Sequence, residues 1–172
     1  EQQIEKELGE ALLNDELCLY YQPLLKADSK ELIGAEVLIR WQHPERGLVP
    51  PFEFIPVAEK TGLISRVDDW VLLQAARQIR SWIDQGKNVP PLSVNISAHK
   101  LNQRDFARYV YSVIQQTGIP AGKICIEVTE ENMITSLENV SKTLNLLRQY
   151  GVKVALDDFG TGYSSLSYIQ DL

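Results

Sequence analysis

Apolar residues in this chain are grouped in two ways, as short near-continuous runs and as longer stretches where they recur every three or four positions. Glu1 to Asn14 is of the second kind, a charged, uncapped segment with Ile4, Leu8 and Ala11 or Leu12 at helical spacing. It reads as a linker-like helix (residues 1–14) from an upstream domain, an ordinary first helix being the equally simple alternative, with the main domain over 15–172. Leu17 to Leu25 is a first strand, Asp28-Ser29-Lys30 a turn, and Leu32 to Trp41 a second strand. His43 to Pro51 (HPERGLVPP) reads as a proline-rich loop and Phe52 to Lys60 as a short helix. Ser65-Arg66-Val67-Asp68 matches a capping box that would open a helix to about Gln85, with Leu72, Ala76, Ile79 and Ile83 on one face and Gly86 past its end. Leu92 to Ser97 is a third strand, and the helix from about Gln103 to Thr117 stops at Gly118 and Pro120. Lys123 to Thr129 is a fourth strand, Ser136 to Tyr150 a helix ended by Gly151, and Val152 to Leu156 a fifth strand.

Strands that alternate with helices about every thirty residues predict parallel pairing through right-handed crossovers. The apolar pattern is broken inside the strands themselves. Glu36 interrupts LIGAEVLIRW, Asn95 interrupts LSVNIS, Glu127 interrupts KICIEVT, and Asp157-Asp158 end the fifth strand. In a strand, residues two apart share a face, so Glu36, Leu38 and Arg40 look into one space. A structural ion pair between Glu36 and Arg40 is the alternative, but a buried pair is costly for the stability it returns. No glycine-rich dinucleotide fingerprint follows the first strand, and polar residues at several strand ends are how a (β/α) barrel builds a site. Beyond Asp158, Gly160 and Gly162 allow backbone angles closed to other residues, and Ser164 can cap a helix starting at Ser165. A barrel of this type has eight strands and typically ~250 residues. About five strands are seen here, so the sequence is expected to hold an incomplete barrel.

Composition narrows the chemistry. At 172 residues and 44% hydrophobic the chain can bury a real core, and a net charge of −6 without a Lys/Arg cluster argues against a polymeric nucleic acid partner. Cys18 and Cys125 sit in apolar runs and read as small core hydrophobes in a reducing, cytoplasmic compartment. No run is long enough to cross a bilayer, so no membrane contact by this segment is expected. His43 and His99 fall in loop-like positions and read as solvated. Glu36, Asn95, Glu127, Asp157 and Asp158 offer only oxygen donors, which suits Mg2+ or Mn2+ rather than zinc. Such carboxylates would repel one another unless a cation offset their charge. A cation held this way beside Arg40 points to a phosphoryl substrate and to phosphodiester hydrolysis.

At these residues the sequence resembles the EAL-domain family, bacterial cyclic di-GMP phosphodiesterases, from about Leu17 onward. The resemblance rests on Tyr21-Gln22-Pro23, Gly34-Ala35-Glu36-Val37-Leu38-Ile39-Arg40-Trp41, Phe54-Ile55-Pro56, Asn95-Ile96-Ser97, Glu127-Val128-Thr129-Glu130 and Asp157 through Leu166 (DDFGTGYSSL). Val37 stands where the name-giving motif has alanine, which keeps a small apolar residue beside an intact Glu36. The resemblance implies a modified TIM-type α/β barrel with one antiparallel strand, a metal-dependent hydrolysis of cyclic di-GMP to linear pGpG, and two Mg2+ or Mn2+ ions per site. It implies metal ligation by Glu36, Asn95, Glu127, Asp157 and Asp158, and catalytic roles for Glu36, Asp157, Asp158 and Glu130, the last as the residue that shapes the Asp158–Ser165 loop. Gln22, Leu38, Arg40 and Asn95 are the implied substrate contacts. A lysine, an aspartate and a glutamate on later strands of the family lie outside this sequence. Partners expected on the same ground are cyclic di-GMP, an upstream sensor or diguanylate cyclase-like domain, and a second copy in a homodimer. A catalytically inactive nucleotide receptor or regulatory module is the competing reading, and the intact Glu36, Asn95, Glu127 and Asp157 argue for the enzyme.

Overall fold

The computed structural model describes residues 1–129 and 137–157, the side chains of residues 137, 138, 156 and 157 excepted. In chain order the elements are α1 (Gln2–Ala11), β1 (Leu17–Leu25), β2 (Leu32–His43), β3 (Gly47–Val49), α2 (Pro51–Thr61), α3 (Ile64–Asp84) and β4 (Leu92–Asn95). They continue with α4 (Ala98–Leu101), α5 (Phe106–Thr117), a 3-10 turn (Ala121–Lys123), β5 (Ile124–Thr129), α6 (Leu137–Gln149) and β6 (Lys153–Asp157). One sheet runs β1-β2-β4-β5-β6, with β3 paired to the end of β2. β1 is antiparallel to β2, while β2, β4, β5 and β6 are parallel. Helical crossovers join β2 to β4, β4 to β5 and β5 to β6, as the alternating pattern predicts.

The sheet buries one face. Val37, Leu92, Val94, Ile126 and Val128 point to the helices and are at most 7% exposed. Against them lie the stripes that the 3.6-residue period marks out: Leu72, Ala75, Ala76 and Ile79 of α3, Phe106, Val110 and Ile114 of α5, and Val140, Leu144 and Leu147 of α6. Each fully buried leucine or isoleucine there contributes about 1.5–3 kcal/mol. α1 joins the same core through Leu8 and Ala11 and packs on α2. Among the described residues no helix is long and apolar enough to cross a membrane.

Three local expectations are corrected. The segment 43–51 is not a plain loop: Trp41, Gln42 and His43 pair with Val49, Leu48 and Gly47, so β2 continues into a hairpin whose turn is closed by Gly47 at φ +70°. His43 is not solvated but 7% exposed. Its Nδ1 accepts the backbone N–H of Glu45 and Arg46 at 3.1 and 3.2 Å, and its Nε2 lies 3.3 Å from the Glu7 carboxylate on α1. Ser65 and Asp68 do not form a capping box, because Gly62 (φ +78°) ends α2 and α3 begins two residues later, at Ile64, leaving Ser65 inside the first turn. Ser65 Oγ instead accepts from Gln103 Nε2 at 2.7 Å, and Asp68 turns toward Ser97. His99 does lie exposed, on α4 rather than in a loop.

Candidate active site

Register decides which polar residues share a face. Gln22 pairs with Glu36, Glu36 with Ser93, and Ser93 with Cys125. Two residues further along, Asn95 pairs with Glu127 and Glu127 with Ala155, and two further again Thr129 pairs with Asp157. Paired residues point the same way and the side-chain period is two. Gln22, Glu36, Leu38, Arg40, Asn95, Glu127 and the strand position of Asp157 therefore belong to the face opposite the helices. Across the parallel strands the candidate donors climb toward the carboxyl ends as a staircase, the arrangement that strand stagger gives in a barrel.

The first step of that staircase is closed by a hydrogen bond. Asn95 Nδ2 donates to Glu36 Oε1 at 2.9 Å, joining residues fixed on β2 and β4. This orients the Glu36 carboxylate and leaves the Asn95 carboxamide oxygen as a donor for a cation. Small side chains, Ser93 and Cys125, stand level with Glu36 in the register and leave room for its carboxylate. Arg40 forms no ion pair with Glu36 among the described residues. Its Nη1 donates to the Ile39 carbonyl at 2.8 Å and its guanidinium lies 5.4 Å from the Tyr20 ring centroid, so its charge is held on the inner face by a cation–π contact. A cleft of about 300 Å3 opens at the carboxyl ends of β2, β4 and β5, with Leu38, Arg40, Asn95, Ser97 and Glu127 along it and Asp68 at its helical wall.

Asp68 and Ser97 were not expected here. Asp68 is 5% exposed, and its Oδ2 accepts from Ser97 Oγ at 2.6 Å and from the Ser97 backbone N–H at 3.4 Å. Burial pushes its carboxyl up to about 7, against the lowering effect of the Ser97 hydrogen bonds and the Lys100 charge. Lys100 in turn lies 2.6 Å from Asp69 Oδ1 and over the Tyr109 ring. An acidic residue within an amphipathic helix gives no sequence signal of such a role. Only the polar Asn95-Ile96-Ser97 exit from β4 hints that a partner is needed.

The cysteines are free and only partly buried, on the face opposite the helices and not in the core expected for them, and burial pushes both thiols above their ordinary value, which disfavours a thiolate nucleophile. The Asp157 backbone is paired with Thr129, placing it at the carboxyl end of β6, while its side chain, Glu130, Asp158 and the glycine loop lie outside the described residues. Oxygen donors from Glu36, Asn95 and Glu127 on three adjacent strands fit a hard divalent cation by their chemistry.

The chain is similar in sequence and fold to known proteins. The family model described as the EAL domain matches residues 5–172. The cyclic di-GMP phosphodiesterase NbdA of Pseudomonas aeruginosa is 40% identical over 172 residues, covering 100% of this chain and 22% of that protein. MucR of the same organism, a bifunctional diguanylate cyclase/cyclic di-GMP phosphodiesterase, is 38% identical over 170 residues, covering 99% of this chain and 25% of MucR. This chain thus spans about a fifth to a quarter of the curated relatives it matches. Among solved structures, the MucR phosphodiesterase in complex with c-di-GMP superposes with a TM-score of 0.93 at 38% identity, over 99% of this chain and 69% of that one. The match covers the β/α fold, its antiparallel first strand and every strand that carries a candidate donor, and the chain belongs to the EAL domain family.

Proposed function

We propose that this protein is a metal-dependent phosphodiesterase that hydrolyses cyclic di-GMP to linear pGpG. The observation that carries the reading is the staircase of oxygen donors, with Glu36 and Asn95 already joined at 2.9 Å, within a family whose relatives bear that activity in their names. Glu36, Asn95, Glu127 and Asp157 would hold Mg2+ or Mn2+, with Asp158 serving a second ion. A cation there supplies Lewis acidity toward the phosphodiester and the attacking water. The chain's own groups do the positioning. Arg40, steadied over Tyr20, attracts the phosphate, and Leu38, between Glu36 and Arg40 on the same face, gives an apolar floor beside it. Gln22 stands opposite Glu36 on β1 and offers both a donor and an acceptor to a nucleobase edge. Unpaired Cys18 and Cys125 support a reducing, cytoplasmic setting.

The test is turnover of cyclic di-GMP by the full-length protein, followed by chromatography of pGpG with Mg2+, Mn2+ or a chelator. Metal-dependent product is expected, and Glu36→Gln should lower the rate by more than about a hundredfold while the protein stays folded. A folded protein that binds the nucleotide and never cleaves it with either metal would replace the enzyme by a receptor.

A further inference from the structure

We propose that Asp68 and Ser97 form a positioning pair that holds Asn95 at the height and orientation needed to join Glu36 at the candidate metal site. The inference rests on the functional reading above for its consequence, and on the geometry alone for the placement.

Strand β4 ends at Asn95, and the residues after it leave the sheet. The next two residues are each tied to a different element. The Ile96 N–H donates to the Glu127 carbonyl on β5 at 3.2 Å, which continues the ladder by one bond. Ser97 Oγ donates to Asp68 Oδ2 on α3 at 2.6 Å and accepts the Lys100 N–H at 3.2 Å, so one hydroxyl both caps α4 and ties the strand exit to the long helix. A hydroxyl–carboxyl bond of that length is strongly directional, and the Asp68 end of it is buried.

Asn95 has no such support of its own. It is exposed, and its carboxamide is hydrogen-bonded to Glu36. An exposed amide of this kind is held in one orientation when its backbone is fixed on both sides. On the strand side the fixing is done by the pairing with Glu127, and on the exit side by Ile96 and Ser97. Asp68 is the fixed point behind the second of these, because Lys100 is paired with Asp69 and lies over the Tyr109 ring and so does not draw it away. Supporting groups of this kind in metal sites commonly change metal affinity by about 10- to 100-fold when removed.

A purely structural cap of α4 makes a different forecast, so two readouts separate the cases. The first is the side-chain amide resonance of Asn95 in metal-free, asparagine-labelled protein, assigned by Asn95→Asp. The second is Mn2+ affinity by calorimetry on variants verified as folded. In Ser97→Ala and Asp68→Ala the Asn95 resonance should move and lose protection, Mn2+ should bind about tenfold more weakly, and Ser97→Thr should restore both. If melting temperature falls in both alanine variants while the resonance and the Mn2+ affinity stay as in the wild type, the pair is a helix cap and the proposal is overturned. Should the wild type take up no Mn2+ at all, the metal reading fails instead. The Asn95 resonance then decides alone, its movement upholding the positioning role and its constancy overturning it. Ser97→Ala removes one oxygen only, so it keeps the question answerable if Asp68→Ala does not fold.

Discussion

Replacing Asp68 with asparagine should change how stability depends on pH more than it changes stability at any one acidic pH. The carboxyl sits at 5% exposure and its folded value is about 7, against an ordinary 3.8. The sign follows from which state holds the proton. Between about pH 4 and pH 7 the folded protein keeps Asp68 protonated while the unfolded chain has released it, so stability falls as pH rises through that window and levels off above it. A gap of about three pH units at about 1.4 kcal/mol each gives roughly 4 kcal/mol across the window. Groups facing the carboxyl set the balance: Ser97 and Lys100 favour the ionised form, Asp69 opposes it, and burial outweighs them all. Asparagine keeps the shape and an acceptor for Ser97 but cannot ionise. Urea unfolding of both proteins from pH 4 to pH 8 should therefore show Asp68→Asn gaining on the wild type by several kcal/mol up to about pH 7 and by nothing further beyond. A difference that stays constant to within about 1 kcal/mol would mean that Ser97 and Lys100 hold Asp68 ionised throughout, and the reasoning about burial would be wrong.

Leu8→Ala should destabilise the protein by about 2–5 kcal/mol in chemical denaturation, because Leu8 is 0% exposed and its loss leaves a cavity between α1 and α2. A loss below about 1 kcal/mol would instead return α1 to the role of a loosely attached linker. Gly62→Ala should cost about 1–2 kcal/mol from backbone strain alone: the residue is at φ +78°, and a Cβ there would meet nothing within 4 Å. An unchanged melting temperature would show that the α2–α3 junction relaxes to another conformation.

The boundaries of β1, Leu17–Leu25, were legible because turn signals bracket the run, and α3 was legible to within a residue from its apolar stripe. β3 was not legible. Three residues carry no period of their own, and the two prolines that follow read as loop, although they only start α2. The Ser65–Asp68 motif misled for the opposite reason, since a local match cannot see that Gly62 has already fixed where the helix begins. His43 depends on a carboxylate from α1, a partner that spacing along β2 does not reveal.

That Glu36, Asn95 and Glu127 share one face of the sheet was legible because they break the apolar pattern, and the reason goes deeper than polarity. Parallel strands covered on both faces read as continuous apolar runs. β5 instead alternates, with Ile124, Ile126 and Val128 buried toward the helices and Cys125, Glu127 and Thr129 only partly buried on the other side. That alternation says the second face is kept for something other than packing. What the sequence cannot say is height. Glu36 stands level with Ser93, and Asn95 stands level with Glu127, two residues higher. The 2.9 Å bond between Glu36 and Asn95 thus spans a step in the sheet rather than a rung, and it exists only because the β2–β4 register is what it is. A slip of one residue would turn Asn95 into the helical layer and part it from Glu36. The outer-face packing of Val37, Leu92 and Val94 therefore fixes the site as firmly as any polar contact within it, since those residues pay for a slip with buried area that nothing else could recover.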